Sequence, residues 1–326
     1  MCEIAAVICT FNRCVSLRRT LETLCELDIP PGLEWEVLIV DNNSKDSTRG
    51  VCEEFGTRLP IRYVFEERQG LSAARNRAFR ETMAEVMAFT DDDVDVDQGW
   101  LVALRRAAGI YTDGAFFGGK ILPRWERKPP AWMTSHSREI SGVTMHFDRG
   151  DAAKVVEGKG DTFFGANMAF RRRVFREGRG FSEELGVMGK TFVPGEESDL
   201  MRGLLARGEK GYYVPEMIVY HRNPVERMTE KYLRRWYVGQ GMADVRKGEV
   251  KIDLGSCWFG VGRWYWMELC RSALKYFVTR WTCSSKVWLR AEIRMATTLP
   301  IGREIPAANS MWTVFLGSLN CLFNCW

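Results

Sequence analysis

Residues 89–99 read FTDDDVDVDQG, so that Asp91, Asp92, Asp93, Asp95 and Asp97 crowd into one short stretch behind an apolar run that begins at Val86. Carboxylates this dense repel one another and call for a counter-charge. A hard divalent cation supplies one. Mg²⁺ and Mn²⁺ take oxygen ligands, usually one or two protein carboxylates together with substrate phosphates. Asp91 and Asp93, at positions i and i+2 after a strand, can point to the same side, which suits an ion that bridges to a diphosphate. A calcium loop is the rival reading, because Asp91, Asp93, Asp95 and Asp97 alternate. That loop needs glycine at position 96 and a closing glutamate at position 102, and both are valine here.

A second acidic group, Glu196-Glu197-Ser198-Asp199, opens the stretch EESDLMRGLLARG. Acidic residues in a first helical turn complement the helix dipole, which is a purely structural use. Carboxylates in this position could equally take a proton. The helix terminus should lower the pKa of such a group and a neighbouring carboxylate should raise it, a balance that spacing does not decide. His221 closes the run MIVYH. Only His136, His146 and His221 exist, so a histidine-rich zinc site is excluded and any metal must lean on carboxylates. A lone histidine at a strand end is commonly structural. Trp125 and Trp132 could stack on a sugar face, and packing explains them equally well.

The elements that must position these groups alternate. EIAAVICT, EWEVLIVD, IRYVFEE and VMAFTD have strand length and composition. RCVSLRRTLETLCEL carries Leu17, Leu21 and Leu24 at helical spacing, and LSAARNRAFRETMAE and QGWLVALRRAAG are further helices. Such alternation predicts βαβ units around a mainly parallel sheet flanked by helices. Ligands of such sheets bind beyond the carboxyl ends of the strands. The polar clusters Thr10-Phe11-Asn12, Asp41-Asn42-Asn43-Ser44 and the aspartate run all fall there. Further on, TFFGANMAFRRRVF reads as a strand leading into a short helix, and YYVPEMIVYH as a strand pair or one bent strand.

With 326 residues, 46% of them hydrophobic, the chain can bury a substantial core. Ten scattered cysteines without a metal-type spacing indicate reduced thiols in a cytosolic setting. The start MCEIAAVICT lacks the basic region of a secretory signal. The net charge of +4 says little, but its distribution is uneven. Beyond Ile252 the chain is rich in tryptophan and basic residues. Lys286, Arg290 and Arg294 share one helical face, and Trp288, Ala291 and Met295 another, the pattern of a membrane-surface segment. The uncharged tail 305–326 is borderline for a spanning helix. Because the basic excess sits in this tail, nucleic acid is not an expected partner.

Taken in order, AAVICTFNR, WEVLIVDNNSKDST, ERQGLSAARNRA, AFTDDDV, GANMAFRR, GEESDL and VYH resemble a family 2 glycosyltransferase of the GT-A fold, over about residues 4–240. The resemblance implies a catalytic domain over 1–245 and a helical, Trp-rich extension over 246–326. It implies an inverting, metal-assisted hexosyl transfer from a nucleotide sugar, usually a UDP-sugar, to a glycan or lipid-linked acceptor in cell-surface polysaccharide assembly. The setting would be the cytoplasmic face of a membrane. Asp93 would hold Mn²⁺ or Mg²⁺ with Asp91 and His221, and Asp91 or Asp92 would lie near the ribose. Asp41 would meet the base beside Thr10 and Asn12, with Arg75 near the nucleotide. Gly165, Ala166 and Asn167 would line the acceptor side. The family has Glu-Asp where this chain has Glu196-Glu197. Glu197 matches the base position, one methylene longer, and Glu196 and Asp199 remain candidates. A nucleotide-sugar-binding protein without transferase activity is the alternative.

Overall fold

The structure is a computed structural model that describes residues 2–135, 139–158, 162–175, 180–188, 191–246, 257–258, 261–282 and 285–298. It divides into two compact units. The first comprises Met1–Glu126, Met145–Lys190 and Gly195–Asn223; the second comprises Arg127–Thr144, Thr191–Pro194 and Pro224–Trp326. The long helix over 230–246 thus groups with the C-terminal helices, where the sequence reading sets a boundary at 245.

The first unit is built on nine strands: β1 (Ile4–Thr10), β2 (Trp35–Asp41), β3 (Ile61–Phe65), β4 (Val86–Asp91), β5 (Val94–Val96), β6 (Gly114–Trp125), β7 (Lys154–Val155), β8 (Asn167–Arg171) and β11 (Lys210–Asn223). Two three-residue strands, β9 (Gly186–Met188) and β10 (Thr191–Val193), stand outside this sheet. The order is β3-β2-β1-β4-β8-β6-β11-β5, with β7 on β11. β2, β1 and β4 are parallel neighbours, as are β2 and β3, and β6 and β11. β8 is antiparallel to both β4 and β6, so β6 and β11 run in the direction of β1–β4. The sheet is therefore mainly parallel but mixed, and the carboxyl ends of β1, β2, β4 and β11 share one edge.

Burial on both faces explains the unbroken apolar runs. Ile4, Ala6 and Ile8 of β1 pack in one layer with Leu17, Leu21 and Leu24 of α1 (Cys14–Leu24), Phe55 of α2 (Thr48–Phe55) and Trp100, Leu101 and Leu104 of α4 (Trp100–Ile110). Ala5 and Val7 face the other layer, with Ala74, Ala78 and Phe79 of α3 (Leu71–Glu81) and Leu200, Met201 and Leu204 of α7 (Glu196–Leu205). The stretch YYVPEMIVYH belongs to one bent strand. β11 stays paired with β6 on both sides of a register shift between Val214 and Ile218.

The second unit is helical: α5 (Ala131–Ser135), α6 (Ser141–Thr144), α8 (Glu230–Arg246), α9 (Arg263–Thr282) and α10 (Ser285–Thr298), with the short strands β12 (Cys257–Trp258) and β13 (Val261–Gly262). Two of the basic residues expected to form a lipid-facing stripe on α10 have partners inside this unit. Arg290 pairs with Glu139 at 3.0 Å, and Arg294 pairs with Glu268. No helix among the described residues is long and apolar enough to cross a membrane. The tail 305–326 lies outside the described residues.

Gly119 stands where β11 departs from regular register. A Cβ there would lie 1.8 Å from the carbonyl oxygen of Met217, a backbone atom that cannot rotate away. Gly109, near the end of α4, has open space instead. Gly119→Ala should therefore destabilise the fold by at least ~2 kcal/mol, whereas Gly109→Ala should stabilise it by up to ~1 kcal/mol through helix propensity. Urea denaturation of both variants measures this; equal midpoints would contradict the packing described.

Candidate active site at the carboxyl edge of the sheet

The aspartate run is divided by its backbone. Asp91 ends β4, a tight turn carries Asp92 and Asp93, and β5 turns back with Asp95. Asp91 and Asp93 face the same way and meet His221 from β11. One ligand atom from each of the three lies within 4.8 Å of the others. The imidazole Nε2 of His221 is 3.3 Å from Asp93 Oδ1. Asp92 points elsewhere. It accepts the Thr10 hydroxyl at 2.7 Å, and Arg13 reaches it at 2.8 Å while also donating to Asp93 Oδ2 at 2.8 Å. Arg13 was not singled out from sequence. Its place directly after Asn12, in a chain with so dense a carboxylate run, is the available signal.

The remaining aspartates do structural work, which removes the calcium-loop reading. Asp95 is held by Arg222 at 2.5 Å and by Arg124. Asp97 accepts the Gly99 N–H at 3.0 Å, beside the start of α4. Arg222 is buried, and its guanidinium donates to the carbonyl oxygens of Asp92 (3.0 Å), Val94 (2.8 Å) and Ser16 (2.8 Å) and to the Thr20 hydroxyl (2.9 Å). The loop is thus fixed largely through its backbone, and Asp91 and Asp93 are held facing His221.

Burial, then the charge of Asp93, pushes the Asp91 carboxyl up. Burial pushes Asp92 up to about 7, against the opposing pull of Arg13. A pocket that resists negative charge in this way favours an added cation. Two carboxylates and an imidazole fit Mn²⁺, and they fit Mg²⁺ less well because of the nitrogen donor.

The loops after β1 and β2 are laced together beside this group. The Ser44 hydroxyl accepts the Asn12 N–H at 2.9 Å, and Asn12 Oδ1 accepts the Lys45 N–H at 2.7 Å. Asn12 and Asn43 take positive φ, 52° and 69°, a region that asparagine tolerates better than most residues. Asp41 is buried and accepts from Tyr63 Oη at 2.8 Å and from the Ser44 N–H at 2.9 Å.

The second acidic group sits at the start of α7 and is tied to the first by Arg75. This guanidinium, 3% exposed, is 2.5 Å from Glu196 Oε1, 3.9 Å from Asp91 and 5.3 Å from the Phe181 ring centre. Its donors are directed at carboxylates, so the geometry favours a bridging role over direct contact with a nucleotide. Glu196 is spent on Arg75 and on the Gly195 N–H. Asp199 is exposed on the first turn. Glu197 differs from both: its Oε2 is buried without a hydrogen-bond partner. Burial, then the Glu196 carboxylate, pushes Glu197 up to about 8, with Arg75 pulling the other way. A buried unsatisfied oxygen asks for a functional explanation. Burial and the Glu196 carboxylate outweigh the lowering by Arg75 and by the Glu197 backbone N–H, so the net direction is upward.

Gly165, Ala166 and Asn167 lie at the same edge, but they are inward-facing. Thr90 donates its hydroxyl to the Ala166 carbonyl at 2.9 Å. Asn167 has no exposed surface; its amide donates to the carbonyls of Lys120 and Met217, both at 2.8 Å, and accepts the Trp100 indole N–H at 2.9 Å. Its side chain braces the sheet and is not presented to an acceptor.

Residues 5–179 match the family model described as Glycosyl transferase family 2. The chain is 28% identical over 250 residues to succinoglycan biosynthesis protein ExoM of Rhizobium meliloti (strain 1021), covering 72% of each. It is 25% identical over 224 residues to glucosyl-dolichyl phosphate glucuronosyltransferase of Haloferax volcanii, covering 68% of this chain and 69% of that protein. Among solved structures, mannosyltransferase PcManGT from Pyrobaculum calidifontis, in complex with GDP-Man and Mn²⁺, aligns with a TM-score of 0.56 at 16% identity, over 99% of this chain and 81% of that one. S. aureus TarS 1–349 in complex with UDP aligns with a TM-score of 0.52 at 15% identity, over 96% of this chain and 92% of that one. At these identities the structural likeness concerns the fold, which is the α/β GT-A arrangement.

Gly165 makes the room that Arg75 occupies: a Cβ there would lie 2.1 Å from Nη2. Gly165→Ala should push the guanidinium off Glu196 and cost about 1–3 kcal/mol. Thermal unfolding measures it, and a wild-type melting temperature would show that the pair is not locked.

Proposed function

Because this chain belongs to glycosyl transferase family 2, and is a glycosyltransferase, we propose that it moves a hexosyl group from a UDP-sugar to a glycan hydroxyl with inversion, in the assembly of a cell-surface polysaccharide. The observation that carries this reading is the pairing of a cation-seeking group, Asp91, Asp93 and His221, with Glu197, whose buried oxygen lacks a partner. Both lie at one sheet edge, and Arg75 links them.

Mn²⁺ held by Asp91, Asp93 and His221 would, when bound, neutralise the diphosphate of the departing nucleotide. Asp41 receives the base and Thr10 and Asn12 shape its pocket, while Asp92 stands nearest the ribose. Glu197 takes the proton from the acceptor hydroxyl. A base whose pKa lies near the working pH combines ionised population with proton affinity. The glycan acceptor is supported by the likeness to ExoM and its lipid-linked form by the likeness to the dolichyl phosphate enzyme. Metal assistance is supported by the Mn²⁺ in the PcManGT complex, and UDP by the TarS complex. The alternative, a binding protein without turnover, leaves the raised Glu197 and its one unpartnered buried oxygen without a purpose.

Calorimetric titration with UDP should show binding that requires Mn²⁺ and vanishes on chelation. Asp93→Ala should weaken that binding and abolish turnover. Glu197→Gln should abolish turnover and leave binding intact; wild-type turnover in it would remove Glu197 as the base. Binding without donor consumption in the wild type would favour the inactive reading.

The base must be ionised to work, so at saturating Mn²⁺ kcat/KM should climb as pH rises through about 8 and level off above it. Glu196→Gln removes a neighbouring negative charge and frees Arg75 toward Glu197. Both effects lower the Glu197 pKa, so the climb should move to lower pH. A profile that stays in place would mean that another group takes the proton.

A further inference from the structure

Among the described side chains of helix α9, three large apolar ones face outward. The residues it buries include Ser272, Tyr276 and Thr279, whereas Met267, Leu274 and Val278 are 61%, 67% and 54% exposed. Steps of seven and four residues keep these three within an arc of roughly 40° along about 16 Å of helix. Cys270 is exposed beside them. Single exposed apolar residues are ordinary, but a line of them on the outer side of one helix marks a contact surface. Arg263, Arg271 and Lys275 are exposed along the same side. The one acidic residue of α9, Glu268, is taken by Arg294.

We propose that this face of α9 docks the second unit on an anionic lipid surface. Met267, Leu274 and Val278 enter the headgroup boundary, and Arg271 and Lys275 meet lipid phosphates. Charge complementarity selects this partner. A second copy packed on the same face about a two-fold axis would set Arg271 and Lys275 against their own counterparts. The inference gives the membrane-facing part of the proposed function a specific surface and rests on that reading for its partner. It does not depend on the transfer chemistry.

The test is co-sedimentation of the full chain with phosphatidylcholine vesicles, with and without phosphatidylglycerol. The wild type should bind the anionic vesicles preferentially, and less so as salt is raised. Leu274→Asp with Val278→Asp should weaken binding by about tenfold or more with an unchanged melting temperature, since both positions are exposed. Arg271→Gln with Lys275→Gln should remove the preference for phosphatidylglycerol. Failure of the wild type to bind either vesicle would overturn the membrane reading together with this face. Full binding by the Leu274/Val278 variant would overturn the face alone. A large drop in its melting temperature would show that the chain covers this stripe itself, and a dimer-to-monomer shift in sedimentation velocity would assign it to a second copy. Either result would also overturn the proposal. UDP binding, measured in parallel, reports separately on the catalytic reading.

Discussion

Arg75 carries a full positive charge at a position almost closed to water, and much of the site is arranged to permit it. Desolvating a guanidinium costs several kcal/mol unless opposite charge and good geometry offset it. Glu196 supplies the charge at 2.5 Å, Asp91 adds a more distant one, Phe181 supplies a ring face, and Gly165 leaves out the side chain that would collide. The pair joins α3 to α7 across the edge of the sheet. It also consumes one glutamate of the adjacent pair, which leaves the other to be raised by burial and by its neighbour. Glu196 and Glu197, identical in type and adjacent in sequence, are thus divided in their partners: Glu196 is bound to the buried cation, and Glu197 keeps one buried oxygen without a hydrogen bond.

The same division of labour runs through the aspartates. Asp91 and Asp93 face His221, Asp92 is held by Thr10 and Arg13, Asp95 by Arg222 and Arg124, and Asp97 by a backbone N–H. Alternation along the chain is what separates Asp91 and Asp93 from Asp92, and the reversal into β5 is what takes Asp95 out of the group.

Much of this was legible in the sequence. β1, β2 and β4 announced themselves as apolar runs because both faces of the sheet are covered there. The ends of those strands carried the polar clusters that the structure brings to one edge. The antiparallel β8 was not legible, since a buried strand reads the same in either direction. That one strand makes the sheet mixed while letting β6 and β11 resume the original direction and carry His221 to the site. Asn167 looked like a ligand-facing amide; its partners are carbonyls of Lys120 and Met217, far away in sequence, which no local pattern encodes. The pairing of Arg290 with Glu139 likewise links distant segments, so a helix that reads as a basic stripe is partly neutralised.

The clamp made by Arg222 has a consequence for how this site can change. It grips the aspartate loop mainly by carbonyl oxygens, which every residue type possesses. The path of the loop and the identity of the side chains that face His221 are thus encoded separately. Replacing Asp91 or Asp93 alters the chemistry offered to a ligand and leaves the scaffold that presents it. A lineage built on this frame could exchange ligand sets, or lose them, by single substitutions without first surviving an unfolded intermediate.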